Sequence, residues 1–395
     1  MLSALYLIIA VFLGELICRR FIKFDSLPHR LAADFLIGIL VSTWLTYVAS
    51  LAFYETANPL LYGNIIFFII AGVSLYFGFR DRASLNFFRP GEDDDRWVSL
   101  FAAAIFVFSC WLMFGTFGVD ADNLKIAAFL MNDFGPNLSL VQSFAVGHNF
   151  PTEYPHFIGE PIRYHFLFWF QAGNLEFLGL NIAWGLNLLS TLTLAAMLLL
   201  IDAFGRIVFD SKATGRIAAV LFFFHGVLSY IPFLWSKGSV GEMFSAAVGA
   251  TEWLNSIYKY TGEQWGVWSM GTFLAQRHLP AAIGIFLVVL IFILQRVKQN
   301  EAIKSETQHE IDSVQTDEDP SSSATAVTLP DPRVSLSRLV PYIIAGIIHD
   351  QIVMNSIGAV IGFILCLIAF RGPVMALLAG LPAVVALIWV LGFLG

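Results

Sequence analysis

Nine long apolar runs constrain this chain more than any other feature: 2–18, 33–53, 62–79, 97–117, 182–204, 215–234, 279–295, 340–370 and 373–394. A helix that crosses a bilayer needs about 20 mostly apolar residues. The runs are continuous rather than alternating, which excludes the strands of a membrane barrel. In hydrocarbon a helix satisfies its own backbone polar groups, so helices are the form such runs take. Only 13% of the residues are charged and 57% are hydrophobic, where a soluble chain carries roughly 25% charged residues. The mean hydropathy is +0.74. The expected fold class is therefore an all-α polytopic membrane protein. About nine to eleven transmembrane helices are expected, counting 340–370 as one or two passes and allowing for a weaker run at 164–180.

Charge bias orients the bundle. The loop after the first run carries Arg19, Arg20, Lys23 and Arg30, and the loop after the third carries Arg80, Arg82, Arg89 and Arg96. Both are expected on the cytoplasmic side, which puts the 118–163 loop outside. Arg206, Lys212 and Arg216, and further on Arg296 and Lys298, mark later cytoplasmic ends. Only one net crossing then fits between the outer loop and Arg206. The run 164–180, which contains Gln171, Asn174 and Glu176, is thus expected to lie along or dip into the outer interface. The first run has no small-residue cleavage site after it and reads as a retained anchor. Residues 1–298 are expected to form the bundle, with outer loops at 118–165 and 235–278. The acidic, Ser/Thr/Pro-rich stretch 299–338 reads as a disordered cytoplasmic linker, and 339–395 as the C-terminal transmembrane helices. The net charge of -7 argues against nucleic acid as a partner. Cys18, Cys110 and Cys366 lie in or beside apolar runs without metal-ligand spacing.

The outer loop concentrates the chemistry. It opens with Asp120 and Asp122 at the end of an apolar run and continues with an amphipathic stretch over 123–147, broken by a turn at Pro136–Asn137. That stretch is expected on the membrane surface. His148, Glu153, His156, Glu160, Arg163, Tyr164 and His165 then crowd together. Ionisable groups beside a bilayer are costly and often functional. Such a set suits transfer of a group to a hydroxyl. Asp120 is the candidate base, and Asp122 orients it or joins it in holding a divalent cation such as Mg or Mn. His148, Glu153, His156, Glu160, Arg163, Tyr164 and His165 are candidates for binding phosphate or sugar. The histidine spacing matches no standard zinc signature. In the second outer loop Gln276, Arg277 and His278 stand where a span begins. They are expected at headgroup depth, where they suit a lipid phosphate. His349 and Asp350 form a further polar point inside an apolar run.

The order of these features resembles the GT-C superfamily of integral membrane glycosyltransferases. An apolar span ends in an acidic motif. A long outer loop with surface helices follows, then "GEPIRYH" leads into an apolar segment, and "AQRH" at 275–278 is similar to an "NQRH" motif of such proteins. The likeness covers about 100–280 and is nearest to bacterial members. It implies a polyprenyl-phosphate-linked sugar as donor and chemistry on the outer face of the bacterial inner membrane, in cell-envelope synthesis. Asp120 then occupies the catalytic acidic position, with Asp122 beside it. Two other readings fit the same chain. One is a transporter or flippase of lipid-linked saccharides, whose ionisable residues would line a cavity within the spans. The other is a noncatalytic scaffold with a partner membrane subunit.

Overall fold

The computed structural model describes residues 2–80, 96–120, 123–127, 130–224, 235–248 and 268–317. Among them six helices are long and apolar enough to cross a membrane: α1 (Leu2–Phe21), α2 (Leu27–Ala52), α3 (Pro59–Phe79), α4 (Arg96–Thr116), α7 (Ile182–Phe209) and the Leu279–Asn300 part of α11 (Leu279–Asp317). The shorter helices are α5 (Met131–Ala145), α6 (Leu167–Phe177), α8 (Lys212–Phe224), α9 (Val240–Val248) and α10 (Trp268–Ala275). The protein is an all-α polytopic membrane protein. The expected spans 340–370 and 373–394, with His349, Asp350 and Cys366, lie outside the described residues, and so does the second half of 215–234.

Residues Met1–Ile285 form one compact unit, and Phe286–Gly395 a second. The described part of the second is the continuation of α11 to Asp317. The expected unfolded linker is therefore helical from 299 to 317. No Gly or Pro interrupts that stretch, and its Gln, Glu, Lys and Ala residues favour a helix. Residues 318–338 lie outside the described residues.

Close approach of backbones holds the first helices together. A Cβ on Gly14 of α1 would collide with the Asp34 carbonyl of α2, and one on Gly38 of α2 with the Ala10 carbonyl of α1. Helices in lipid associate through such small residues, because apolar burial gives no preference for helix over lipid. Asn58 caps α3 by accepting from the Leu61 amide at 3.2 Å, with Pro59 in the first helical position, where its missing N–H has no intrahelical partner to lose.

Charged groups lock the end of the bundle opposite the 118–165 loop. The Arg30 Nε donates to Glu15 Oε2 at 2.7 Å, and Arg30 lies 4.0 Å from Asp34. His29 bridges Ser26 (2.8 Å) and Asp202 (2.9 Å), and Arg206 donates to Asp202 at 2.8 Å. Glu15, Asp34 and Asp202 are fully buried. These pairs tie α1 to α2 and α2 to α7.

The run 164–180 does not span. It forms α6, whose 11 residues reach only about 16 Å against a hydrocarbon core of about 30 Å. Nor does it lie on the surface, because Leu167 to Leu175 are all buried. Its polar residues hold it inside. Gln171 accepts from Thr43 at 3.0 Å and from Tyr6 at 3.4 Å, and Asn174 accepts from Asn64 at 2.7 Å. Ser3 donates to the carbonyls of Leu175 and Leu178. Gly179, at φ 108°, reverses the chain. The Leu180 amide reaches the Leu175 carbonyl and the Gly179 amide the Glu176 carbonyl, the Schellman pattern. Asn181 then caps α7 through the Trp184 amide at 2.8 Å.

Candidate functional site

The chain leaves α4 in a strand. β1 (Phe117–Asp120) pairs antiparallel with β2 (Asn123–Ile126), with Asp120 opposite Asn123. The amphipathic stretch expected over 123–147 thus begins as a hairpin, and α5 starts only at Met131. The turn expected at Pro136–Asn137 is absent, because Pro136 sits within the second turn of α5, where it costs one backbone hydrogen bond. Phe134, Leu138, Val141 and Phe144 recur at helical spacing and are buried. They set α5 against the bundle, not flat on a membrane. Gly173 of α6 permits the contact, since a Cβ there would come within 2.6 Å of the Val141 carbonyl.

After α5 the chain turns at His148, which adopts a left-handed φ of 51°. Asn149 clamps the next segment: its side chain donates to the Glu153 carbonyl and accepts from the Glu153 amide, each at 2.8 Å. Phe150 enters a cluster with Tyr47, Phe144 and Phe170, and Thr152 meets the Tyr47 hydroxyl at 2.9 Å. A second hairpin follows, β3 (Glu153–Tyr154) against β4 (Phe157–Pro161). The Glu153 carboxylate accepts from the Gly159 amide at 2.9 Å and so closes it.

These elements enclose a cavity of about 190 Å³. Asp133 and Asn137 of α5, Tyr154 of β3, Tyr164 and Gln276 supply its polar lining, and Pro136, Leu140, Pro155 and Ile162 its apolar walls. Next to Tyr164 the His165 ring packs at 3.7 Å between centroids, and His165 meets His278 at 3.8 Å with the rings tilted by 40°. Trp169 and Phe168 flank His278. Burial, and then the neighbouring His278, push His165 far below the ordinary histidine value, so the ring is neutral.

Arg277 is fully buried, not at headgroup depth. Its guanidinium donates to Asn187 Oδ1, to the Leu274 and Met113 carbonyls at 3.3 Å each, and to Thr116 Oγ1 at 3.1 Å. It also lies 4.9 Å from the centre of the Phe134 ring and 5.8 Å from that of Phe117. These groups are neutral, and burial lowers the Arg277 value to about 9. Its donors join the ends of α4, α7 and α10, so it is a clamp behind the cavity.

Of the residues singled out in the sequence, Tyr164 and Gln276 both line the cavity, with His165 packed between Tyr164 and His278. Glu153 serves the hairpin. His148, His156, Glu160 and Arg163 are exposed. Asp120 is exposed on the first hairpin, ion-paired with Lys125, and is not part of the cavity lining. Asp122 lies outside the described residues. Asp133 has no distinguishing signal in the sequence, because an acid in the first turn of an amphipathic helix reads as ordinary dipole compensation. Among the described residues no three His, Cys, Asp or Glu side chains converge, and Asp122, the other half of the expected cation pair, is not among those residues.

No family model, curated protein or solved structure matches this chain.

Proposed function

We propose that this protein is a membrane glycosyltransferase that moves a sugar from a polyprenyl phosphate to an acceptor hydroxyl in the cavity beside α5. In this reading it acts on the periplasmic face of a bacterial inner membrane, in cell-envelope glycan or glycolipid synthesis. The observation that carries the reading is the cavity lining. A carboxylate (Asp133), two amides (Asn137 and Gln276) and two phenols (Tyr154 and Tyr164) converge on one small space. Sugar hydroxyls need that mixture of donors and acceptors. Asp133, the acidic residue in the lining, takes the proton from the acceptor hydroxyl as general base. The acceptor oxygen bonds to the anomeric carbon, the bond from that carbon to the phosphate oxygen breaks, and the phosphate leaves on its lipid. Arg163, next in sequence to the lining residues Ile162 and Tyr164, supplies positive charge against the leaving phosphate.

The test is transfer of labelled sugar from a polyprenyl phosphate by the purified chain in liposomes. Asp133→Asn is expected to lower transfer by about 10²- to 10⁴-fold, with Asp120→Asn close to the parent. Full activity of Asp133→Asn would remove the assignment, and a silent parent chain with every acceptor tried would remove the enzyme. A second reading, a carrier of lipid-linked saccharides, is favoured by Glu15, Asp34 and Asp202 buried within the spans. Movement of label across the bilayer without transfer is its signature.

A further inference from the structure

The β3–β4 hairpin turns one side to the cavity, through Tyr154 and Pro155. Phe157, 67% exposed, is the cross-strand partner of Tyr154, with the two rings 6.2 Å apart, and Ile158, 92% exposed, alternates to the opposite face. Single exposed apolar side chains are ordinary on a protein in water. What matters here is depth.

Exposed aromatic residues mark the membrane boundary at this end of the bundle. Phe53 stacks on Tyr62 at 5.3 Å, and both are exposed, as are Tyr54 and Trp184. Such rings settle at headgroup level. Tyr47 precedes Phe53 by six residues on α2, which is about 9 Å toward the bilayer centre. Helical side chains lean toward the helix N-terminus, here inward, so the Tyr47 hydroxyl is no shallower than its backbone. Thr152 bonds that hydroxyl at 2.9 Å. The root of the hairpin is therefore anchored below the aromatic level.

The hairpin is too short to climb far. Tyr154, two residues after Thr152, pairs with Phe157, and Ile158 is one step back along the return strand. Two residues of strand rise about 7 Å, and crossing to the partner strand adds about 5 Å. Even a hairpin pointed straight outward ends about 3 Å above the Phe53 level. The headgroup layer is about 5–7 Å thick on each side.

We infer that the β3–β4 hairpin is a membrane wedge, with Phe157 and Ile158 seated in the headgroup and upper acyl region of the adjoining leaflet. The occupant of this apolar tip is the bilayer itself. Arg163, exposed just beyond β4, suits a lipid phosphate. The wedge sets lipid against the hairpin that edges the cavity. It stands whether or not the cavity performs sugar transfer.

The experiment uses the full chain in liposomes with an environment-sensitive fluorophore on Ile158→Cys. The signal of the identically labelled parent chain, which holds Cys18, Cys110 and Cys366, is subtracted. The side chain at 158 is open, so the substitution leaves the fold intact. Loss of fluorescence with lipids brominated high on the acyl chain is the expected result. Insensitivity to brominated lipid overturns the wedge in either form. Quenching by aqueous iodide alone would place the tip in water, and quenching by neither would place it under another protein.

Discussion

Two nitrogen bases beside the cavity, fully buried Arg277 and half-buried His165, behave in opposite ways. Arg277 remains a cation at neutral pH because its pKa, lowered by burial to about 9, is still above it. Its planar fork reaches acceptors on three elements at once. Lysine has the charge without the fork. Arg277→Lys is expected to destabilise the protein by about 1.5–3 kcal/mol, the scale of hydrogen bonds to a charged group, seen as a lower melting temperature in detergent. An unchanged melt would show that the clamp is not needed. His165 is held neutral by burial and by His278. The unfolded chain takes up a proton below about pH 6.5 and the folded chain does not, so the unfolded state binds more protons there. Stability therefore falls as pH drops below about 6.5. His165→Gln is expected to flatten that slope between pH 7.5 and 5.5, and an equal slope in parent and variant would contradict it.

At the scale of elements, α6 decides how the cavity is backed. Its polar residues were legible as signs of an incomplete span, and charge parity pointed the same way. Their work was not legible, because Gln171 meets Thr43 and Asn174 meets Asn64 only after distant helices assemble. The 123–147 stretch differs from its expected form for a similar reason. Amphipathic spacing is visible in sequence, but four residues are too few to announce a strand, and Phe117–Asp120 supplies the partner. Pro136 looked like a turn because proline usually ends a helix, yet here the buried face on either side of it outweighs the lost bond. Gly173 tests the α5–α6 contact. Gly173→Val is expected to cost about 1–3 kcal/mol through overpacking and to loosen the cavity wall, read as faster proteolysis between α5 and α6. Parent-like resistance would mean that the two helices separate at no cost.

At the scale of the molecule, the membrane architecture is plain from apolar runs alone, while the lining of the cavity is only partly legible. Tyr164 and Gln276, far apart in sequence, were both singled out and both line the cavity. Asp120 was favoured for its place at the end of a span, but it faces outward against Lys125. Asp133 carries no local mark, and only the fold brings it to the same cavity as Gln276. Glu15, Asp34 and Asp202 had a signal, an acid inside an apolar run, that the richer outer loop overshadowed.

The central claim is that the cavity beside α5 holds the lipid-phosphate sugar, and photo-crosslinking tests it most directly. A photoreactive amino acid at Ile162, which lines the cavity, is compared with one at His148, exposed in the turn after α5. Radiolabelled polyprenyl-phosphate sugar is expected to attach at 162 and to be displaced by unlabelled donor, with no displaceable label at 148. Displaceable labelling at 148 and none at 162 would contradict the account.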